Sequence, residues 1–231
     1  MVAAAPPPPV PRAALFDVYG TLFDVYSVSV RAEALFPGHG ERLSLLWRDK
    51  QIEYSRLVTM SRRYRPFSEL TQRALKFACA RLNLELTTAA IDALTGEYQR
   101  LKPFAENEPV LRELKARGVR AGVLSNGDPA MLDALLAQAG IASLLDPVLS
   151  AHSVQRFKTD DAVYALGPAA LGLPAREILF VSSNGWDAIG ATWYGYTTLW
   201  INRAGAPLDP LDTPPTRTAT SLRAVLDFFP L

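Results

Sequence analysis

The sequence predicts an α/β fold: a doubly wound parallel sheet with a helical segment inserted after its first strand. Three observations carry this. From about residue 105 onward, short apolar runs alternate with segments of helical spacing. A lone apolar run lies far upstream, at Val10 to Val18. Between them, residues 28–100 show helical periodicity and no convincing strand.

The run Val10 to Val18 ends in Asp17-Val18-Tyr19-Gly20-Thr21 and reads as a buried strand feeding a turn. In the next block Leu43, Leu46, Trp47 and Tyr54 recur at helical spacing, as do Leu70, Ala74, Phe77, Ala78 and Leu82. Pro109 to Arg117 reads as a helix closed by Gly118, and Val119 to Leu124 as a strand. Asp128 to Ala139 is a helix ended by Gly140, and Pro147 to Leu149 a short strand. A helix is expected from about Asp160 to Leu171, then a strand at Ile178 to Val181 and a helix at Trp186 to Tyr194, ended by Gly195. Thr197 to Ile201 is another strand, Pro207 to Thr220 a surface loop, and Leu222 to Phe229 a last helix. Asp128 and Asp160 are assigned to helix capping.

The division that follows is a disordered Pro-rich leader over 1–11, a core formed by 12–27 with 101–231, and a helical insertion over 28–100. Prolines 6 to 9 interrupt the apolar stretch a secretory signal requires, and the first positive charge is Arg12. No uninterrupted apolar run approaches membrane-spanning length, so a soluble, cytoplasmic protein is expected. A formal charge of +1 gives no reason to expect nucleic acid or a membrane as partner. The single cysteine, Cys79, lies in an apolar run and reads as a small core residue.

Ligands of open α/β sheets bind beyond the carboxyl ends of the strands. Asp17 and Thr21 follow the first strand, Ser125 and Asn126 the second, and Ser182, Ser183, Asn184 and Asp187 a later one. Lys158 lies in a loop just before a helix. Singly, Asp, Ser and Asn are ordinary helix caps. Their coincidence at successive strand ends points to a site.

Phe16-Asp17-Val18-Tyr19-Gly20-Thr21-Leu22 resembles the first motif of the haloacid dehalogenase superfamily. Leu124-Ser125-Asn126-Gly127 resembles its second, Lys158 its third, and Val181 to Asp187 its fourth. Leu46-Trp47-Arg48, Gln51 to Ser55, Tyr164 and Trp200 to Arg203 are similar to the L-2-haloacid dehalogenases (type II) in particular. The resemblance spans nearly the whole chain after the proline leader. It implies a Rossmann-like core carrying a helical cap, and conversion of a short (S)-2-haloacid to the (R)-2-hydroxyacid with inversion.

Under this resemblance Asp17 is the nucleophile and forms an aspartyl ester, whose hydrolysis by water is assigned to Asp187. Arg48, Asn126 and Trp186 form the halide cradle. Ser125 and the backbone amides of Val18 and Tyr19 grip the substrate carboxylate. Lys158 keeps Asp17 ionised, and Thr21, Tyr164, Ser182 and Asn184 support by hydrogen bonding. Tyr19, Ile52, Phe67 and Trp186 form an apolar wall. No cofactor or metal is implied; the partner is the small-molecule haloacid, and relatives of this type tend to be homodimers.

Superfamily phosphatases carry a second aspartate two positions after the nucleophile, to protonate an alkoxide. Here that position is Tyr19, which suits a halide leaving as a stable anion. The competing reading is a Mg²⁺-dependent phosphatase acting on a small phosphate monoester. A third is a non-catalytic binding protein using an inherited cleft; it predicts a broken constellation, yet no expected side chain is missing. The chain departs from the pattern at Asp49, where relatives often have Gln, and at Ser68, His152 and Thr159. Adjacent helix residues project in different directions, so Asp49 is expected to face solvent.

Overall fold

The structure, a computed structural model, describes residues 10–230. In chain order the elements begin with β1 (Ala13–Phe16), β2 (Phe23–Asp24), α1 (Ser29–Leu35), α2 (Gly40–Met60), α3 (Phe67–Arg81) and α4 (Thr88–Glu97). They continue with β3 (Lys102–Pro103), α5 (Asn107–Ala116), β4 (Arg120–Ser125), α6 (Pro129–Gln138), β5 (Val148–Ser150), α7 (Asp161–Tyr164) and α8 (Leu166–Leu171). The last are β6 (Ile178–Ser182), α9 (Gly185–Tyr194), β7 (Thr197–Ile201) and β8 (Arg217–Ala219).

Six strands form one sheet in the order β5-β4-β1-β6-β7-β8, and every neighbouring pair is parallel. Strands β1, β6 and β7 are buried along their whole length, as a sheet covered on both faces requires of its central strands. The chain leaves β1 toward β4 and β5, then returns to β1's other side with β6. The strand order therefore reverses beside β1, and the crevice beyond its carboxyl end is where such sheets take ligands.

Helices α1 to α4 form the insertion. The two-stranded ribbon of β2 and β3, antiparallel with Phe23 opposite Pro103 and Asp24 opposite Lys102, ties its outgoing and returning chains together. Gly20 makes the turn into that ribbon with φ +91°, a conformation glycine adopts without steric cost. Within the insertion Leu43, Trp47, Leu70, Ala74 and Ala78 are buried at the expected helical spacing. The Trp47 indole N–H donates to the Thr71 carbonyl at 2.7 Å and joins α2 to α3. Phe77 differs from the expected core face: it is exposed, with the Lys50 ammonium 4.4 Å from its ring centroid.

Several sequence expectations need correction. The helix expected from Asp160 to Leu171 is two, α7 and α8, meeting at Ala165. The expected loop over Pro207 to Thr220 contains β8, which pairs with β7. It escapes pattern reading because an edge strand of Arg, Thr and Ala buries little and has no apolar alternation. The last helix is a 3₁₀ helix, Leu222–Phe228. Of the leader expected over 1–11, residues 1–9 lie outside the described residues, and Pro11 is buried rather than part of a loose tail. Asp160 caps its helix by accepting from the Ala162 N–H, but Asp128 makes no such bond to its own helix. Among the described residues no helix is long and apolar enough to cross a membrane. Cys79 is buried and its thiol is pushed up to about 11 by that burial, as fits a packed core residue.

The sheet tolerates no extra bulk where β4 meets the loop before β5. A Cβ on Gly122 would lie 2.7 Å from Pro147 Cδ and 2.8 Å from its nitrogen. Gly122→Ala is therefore expected to cost about 1–3 kcal/mol, the usual range for overpacking. Thermal melting should report this as a fall of roughly 2–4 °C for each kcal/mol lost.

Candidate active site

The carboxyl ends of β1, β4 and β6 bring most of the predicted polar side chains together. Asp17 is the first residue beyond β1, and its N–H extends the ladder to the Val181 carbonyl at 2.9 Å. The residue is 5% exposed. Lys158 Nζ donates to Asp17 Oδ1 at 3.0 Å. Thr21 Oγ1 and Asn184 Nδ2 each donate to Oδ2 at 2.8 Å. The same Lys158 ammonium donates to Asp187 Oδ2 at 2.9 Å, and Tyr164 Oη donates to Asp187 Oδ1 at 2.8 Å. A single buried cation is thus shared by two buried carboxylates.

Charge balance sets the proton affinities. Burial alone would lower the Lys158 pKa, but Asp17 and Asp187 together hold it above the ordinary lysine value. Asp187 moves the other way from a simple ion-pair partner. Burial and the negative charge of Asp17 outweigh the pull of the shared Lys158, and its carboxyl sits above the usual range. The two directions agree once the charges are counted: two anions share one cation, and the deficit falls on fully buried Asp187. Asp187 is therefore the more basic kind of carboxylate, fitted to take a proton.

Neighbouring groups fix this arrangement. The Thr21 hydroxyl accepts from the Ser183 N–H at 2.8 Å, and Ser182 Oγ accepts from the Asn184 N–H at 3.1 Å. Asn126 Oδ1 accepts from the Lys158 N–H at 2.9 Å, positioning the lysine's backbone. Ser125 Oγ accepts from the Gly127 N–H at 3.2 Å. Among the described residues the N–H groups of Val18 and Tyr19 donate to no protein acceptor. The peptide bond between Lys158 and Thr159 is cis.

Tyr19, two residues after Asp17, points its ring into the protein. It packs against Phe67 and Tyr98 at centroid distances of 5.6 and 6.1 Å. Its hydroxyl is buried without a hydrogen-bond partner. Burial drives the phenol far above its ordinary pKa, which makes it a poor acid.

Arg48 descends from α2 onto this floor. One guanidinium nitrogen donates to the Tyr19 carbonyl at 3.3 Å and reaches Asn184 Oδ1 at 3.5 Å. The other donates to Gln51 Oε1 at 2.7 Å. Arg48, Ile52, Asn184 and Trp186 line a cavity of about 520 Å³, whose rim includes Asp49. Asp49 is exposed, as expected, yet it stands at this mouth. Ser125, Asn126 and Phe67 are not among the cavity's walls, so Arg48 and Trp186 share a compartment that Asn126 does not enter. The outer face of Trp186 carries Arg56, 4.9 Å from the ring centroid.

Three contributors had no role assigned from sequence. Gln51 orients Arg48 and is itself tied to Thr71, which its Nε2 reaches at 2.6 Å. Arg203 donates to Ser183 Oγ at 2.7 Å and to the Thr21 carbonyl at 3.1 Å, while pairing with Glu106 at 2.8 Å. Gly190 leaves room for Tyr164: a Cβ there would lie 2.7 Å from the tyrosine oxygen and 2.6 Å from Thr159 Cγ2. Gln51 and Arg203 fall within quoted motif segments, which was the available signal. Nothing in the local sequence marks Gly190.

A family model described as haloacid dehalogenase-like hydrolase matches residues 11–195. The chain belongs to this family. Among its relatives, the (S)-2-haloacid dehalogenase of Pseudomonas sp. (strain YL) is 47% identical over 214 residues, covering 93% of this chain and 92% of that one. A crystal structure of an L-2-haloacid dehalogenase is 52% identical, with a TM-score of 0.94 and coverage of 96% of this chain and 99% of that one. The L-2-haloacid dehalogenase of Xanthobacter autotrophicus, solved with chloropropionic acid covalently bound, is 34% identical with a TM-score of 0.87, covering 93% and 96%. The sheet order, the helical insertion and the family's dehalogenase members agree with the fold expected from the sequence.

The charge arrangement makes a testable demand. Because the folded chain raises the Lys158 pKa, its stabilising contribution is complete below the unfolded value of 10.5 and fades only as pH climbs through the higher folded value. Lys158→Gln leaves two buried carboxylates without their cation and should cost about 3–5 kcal/mol. In chemical denaturation the gap between wild type and this variant should stay level from neutral pH to 10.5 and narrow only above it.

Proposed function

We propose that this protein is an (S)-2-haloacid dehalogenase that hydrolyses short 2-haloalkanoic acids to (R)-2-hydroxyacids through an ester on Asp17. The observation that carries this is a buried carboxylate held by Lys158, Thr21 and Asn184, with the cap arginine Arg48 reaching the same Asn184 and the Tyr19 carbonyl, and with a poor acid, Tyr19, two residues after it.

In the first step a carboxylate oxygen of Asp17 attacks the halogen-bearing carbon from the rear. A carbon–oxygen bond forms, the carbon–halogen bond breaks, and halide leaves with the bonding pair, inverting the carbon. The N–H groups of Val18 and Tyr19, with Ser125, hold the substrate carboxylate in this reading, which is supported by the lack of a protein acceptor for either N–H among the described residues. Arg48 stabilises the halide as charge develops on it, with Trp186 beside it in the same cavity. Asn126, the third residue expected in the cradle, accepts from the Lys158 N–H and lies outside the cavity that Arg48 and Trp186 share.

In the second step water adds to the Asp17 carbonyl carbon and gives its proton to Asp187. The tetrahedral adduct collapses with cleavage of its carbon–oxygen bond to the substrate; the departing alkoxide takes the proton back from Asp187 and leaves as the hydroxyacid, and water's second proton passes from Asp17 to solvent, restoring the carboxylate. Burial, the first of the causes that raise the proton affinity of Asp187, persists once Asp17 is esterified and suits that transfer. Ile52 and Trp186 line the cavity and supply apolar surface for the alkyl chain, while Tyr19 and Phe67, also expected in that wall, pack against each other outside the cavity's lining. The division at 28–100 with core 12–27 and 101–231, the cytoplasmic location and a homodimer are parts of the same reading.

The phosphatase alternative needs Mg²⁺, and the residues present fit that ion poorly. The space between Asp17 and Asp187 is taken by the Lys158 ammonium, and Tyr19 stands where a second acid would be. Among the described residues no three His, Cys, Asp or Glu side chains converge as a metal-binding group. Halide release from the (S)-enantiomer of 2-chloropropionate, unaffected by EDTA and absent with the (R)-enantiomer, is the expected result; EDTA-sensitive phosphate release instead would favour the alternative.

Asp17→Asn should abolish turnover, and Arg48→Ala should slow halide release by about 10²–10³-fold, the cost of losing one preorganised donor. Asp187→Asn should still release one equivalent of halide and then stall as the ester. A single turnover in heavy-oxygen water should place the label in Asp17, and label found only in the hydroxyacid would sink the ester mechanism.

A further inference from the structure

We propose that Asp128 is a positioning residue that latches the helical insertion over the site, by capping α3 from the core, and so holds Arg48 above Asp17. Asp128 sits at the start of α6, where an aspartate ordinarily caps its own helix, yet its side chain makes no bond there. It reaches across instead. The Phe67 and Ser68 N–H groups, the first two of α3, donate to its two carboxylate oxygens at 2.8 and 2.9 Å. Helix α3 begins after Pro66 and has no side-chain cap of its own. The core therefore supplies the insertion with a charged cap it lacks.

From this latch a line of hydrogen bonds runs through the insertion and back to the core. The Phe67 carbonyl accepts from Thr71 Oγ1 at 2.7 Å, and that oxygen accepts from Gln51 Nε2 at 2.6 Å. Gln51 Oε1 accepts from Arg48 at 2.7 Å, and Arg48 returns to the Tyr19 carbonyl at 3.3 Å. Gln51 and Thr71 are buried, so each bond lost leaves a partner unsatisfied away from water. A second contact reinforces the first: Tyr64 Oη lies 2.8 Å from His152 Nδ1, itself 3.7 Å from Asp128 Oδ1. In this closed arrangement Asp17 is only 5% exposed.

The latch acts on one chemical step. This rests on the dehalogenase reading, in which Arg48 serves halide departure and Asp187 with Lys158 serves ester hydrolysis. Asp128→Ala should slow the single-turnover halide burst by roughly 5–30-fold, the shift in closed population that loss of a helix cap produces. Decay of the isolated ester, followed by mass spectrometry after a quench, should keep its wild-type rate. Asp128→Asn, which retains one acceptor oxygen, should restore most of the burst. Gln51→Leu cuts the line beyond the latch and should slow the burst while leaving the Phe67 and Ser68 amides protected. Amide hydrogen exchange of the unliganded protein should show those two amides protected in wild type and exposed in Asp128→Ala. That readout needs no dehalogenation, so it decides the latch even if the wild type releases no halide. Unchanged exchange at Phe67 and Ser68, or equal slowing of both chemical steps in Asp128→Ala, would overturn the proposal.

Discussion

One buried ammonium shared between two buried carboxylates is the constraint to which the rest of the site answers. Lys158 is 1% exposed and Asp187 0%, so neither charge is repaid by water. Such groups persist only when each lone pair and each proton has a partner. Thr21 and Asn184 complete Asp17, Tyr164 completes Asp187, and the Lys158 side chain lies 4.8 Å from the Phe180 ring centroid. Each partner comes from a different strand end or helix, so the charge requirement fixes how those ends converge. The same imbalance divides labour between two chemically similar acids. Asp17 takes three donors, while burial and the Asp17 charge raise the Asp187 carboxyl above its usual range. In the proposed mechanism, esterification of Asp17 removes one negative charge, after which Lys158 serves Asp187 alone.

The insertion solves a different problem. A sheet core offers donors and acids at its strand ends, but a departing halide needs a cation on the far side of the attacked carbon. The β2/β3 ribbon fixes the base of the insertion next to the Asp17 loop, and α2 carries Arg48 back over it. Closing the insertion also excludes water, which strengthens the attraction between guanidinium and leaving anion. Arginine suits the position because its planar head can hold Gln51 on one nitrogen and keep the other directed at the site.

Much of this was legible without coordinates, for a physical reason. Strands β1 and β6 are buried on both faces and therefore carry unbroken apolar runs, Ala13–Phe16 and Ile178 to Val181, and the residue after each run, Asp17 or Ser182, falls at the ligand-binding edge. Polar residues at those positions declare themselves. Elements whose stability comes from pairing rather than burial do not: β8 is an exposed edge of three residues, and β2 and β3 have two each. Asp128 shows the limit most sharply. Its local sequence, an aspartate before a proline and an apolar helix, specifies a cap, and the chemistry is indeed capping. Which helix it caps depends on a contact 60 residues away in sequence, which no local pattern encodes. Gly190 is illegible for a similar reason, since its lack of a side chain matters only because Tyr164 arrives there from another helix.

Tyr19 ties these strands of reasoning together. Gly127, beyond β4, has no Cβ, and one placed there would lie 2.8 Å from the Tyr19 ring and 2.9 Å from its hydroxyl. The glycine thus makes space for the tyrosine to lie inward, against Phe67 and Tyr98, with its hydroxyl buried and unpaired. Leaving a buried hydroxyl unsatisfied costs on the order of 1–3 kcal/mol, a cost that packing of a large ring can offset. The consequence for chemistry is that the position two residues after Asp17 offers no proton to the group displaced from substrate carbon. An alkoxide leaving in that first step would depart unprotonated as a strong base, whereas a halide departs as a stable anion and needs only a cation to meet it. The same side chain therefore packs the junction between core and insertion and suits the first displacement to leaving groups that need no proton, while the alkoxide expelled in ester hydrolysis is served by Asp187.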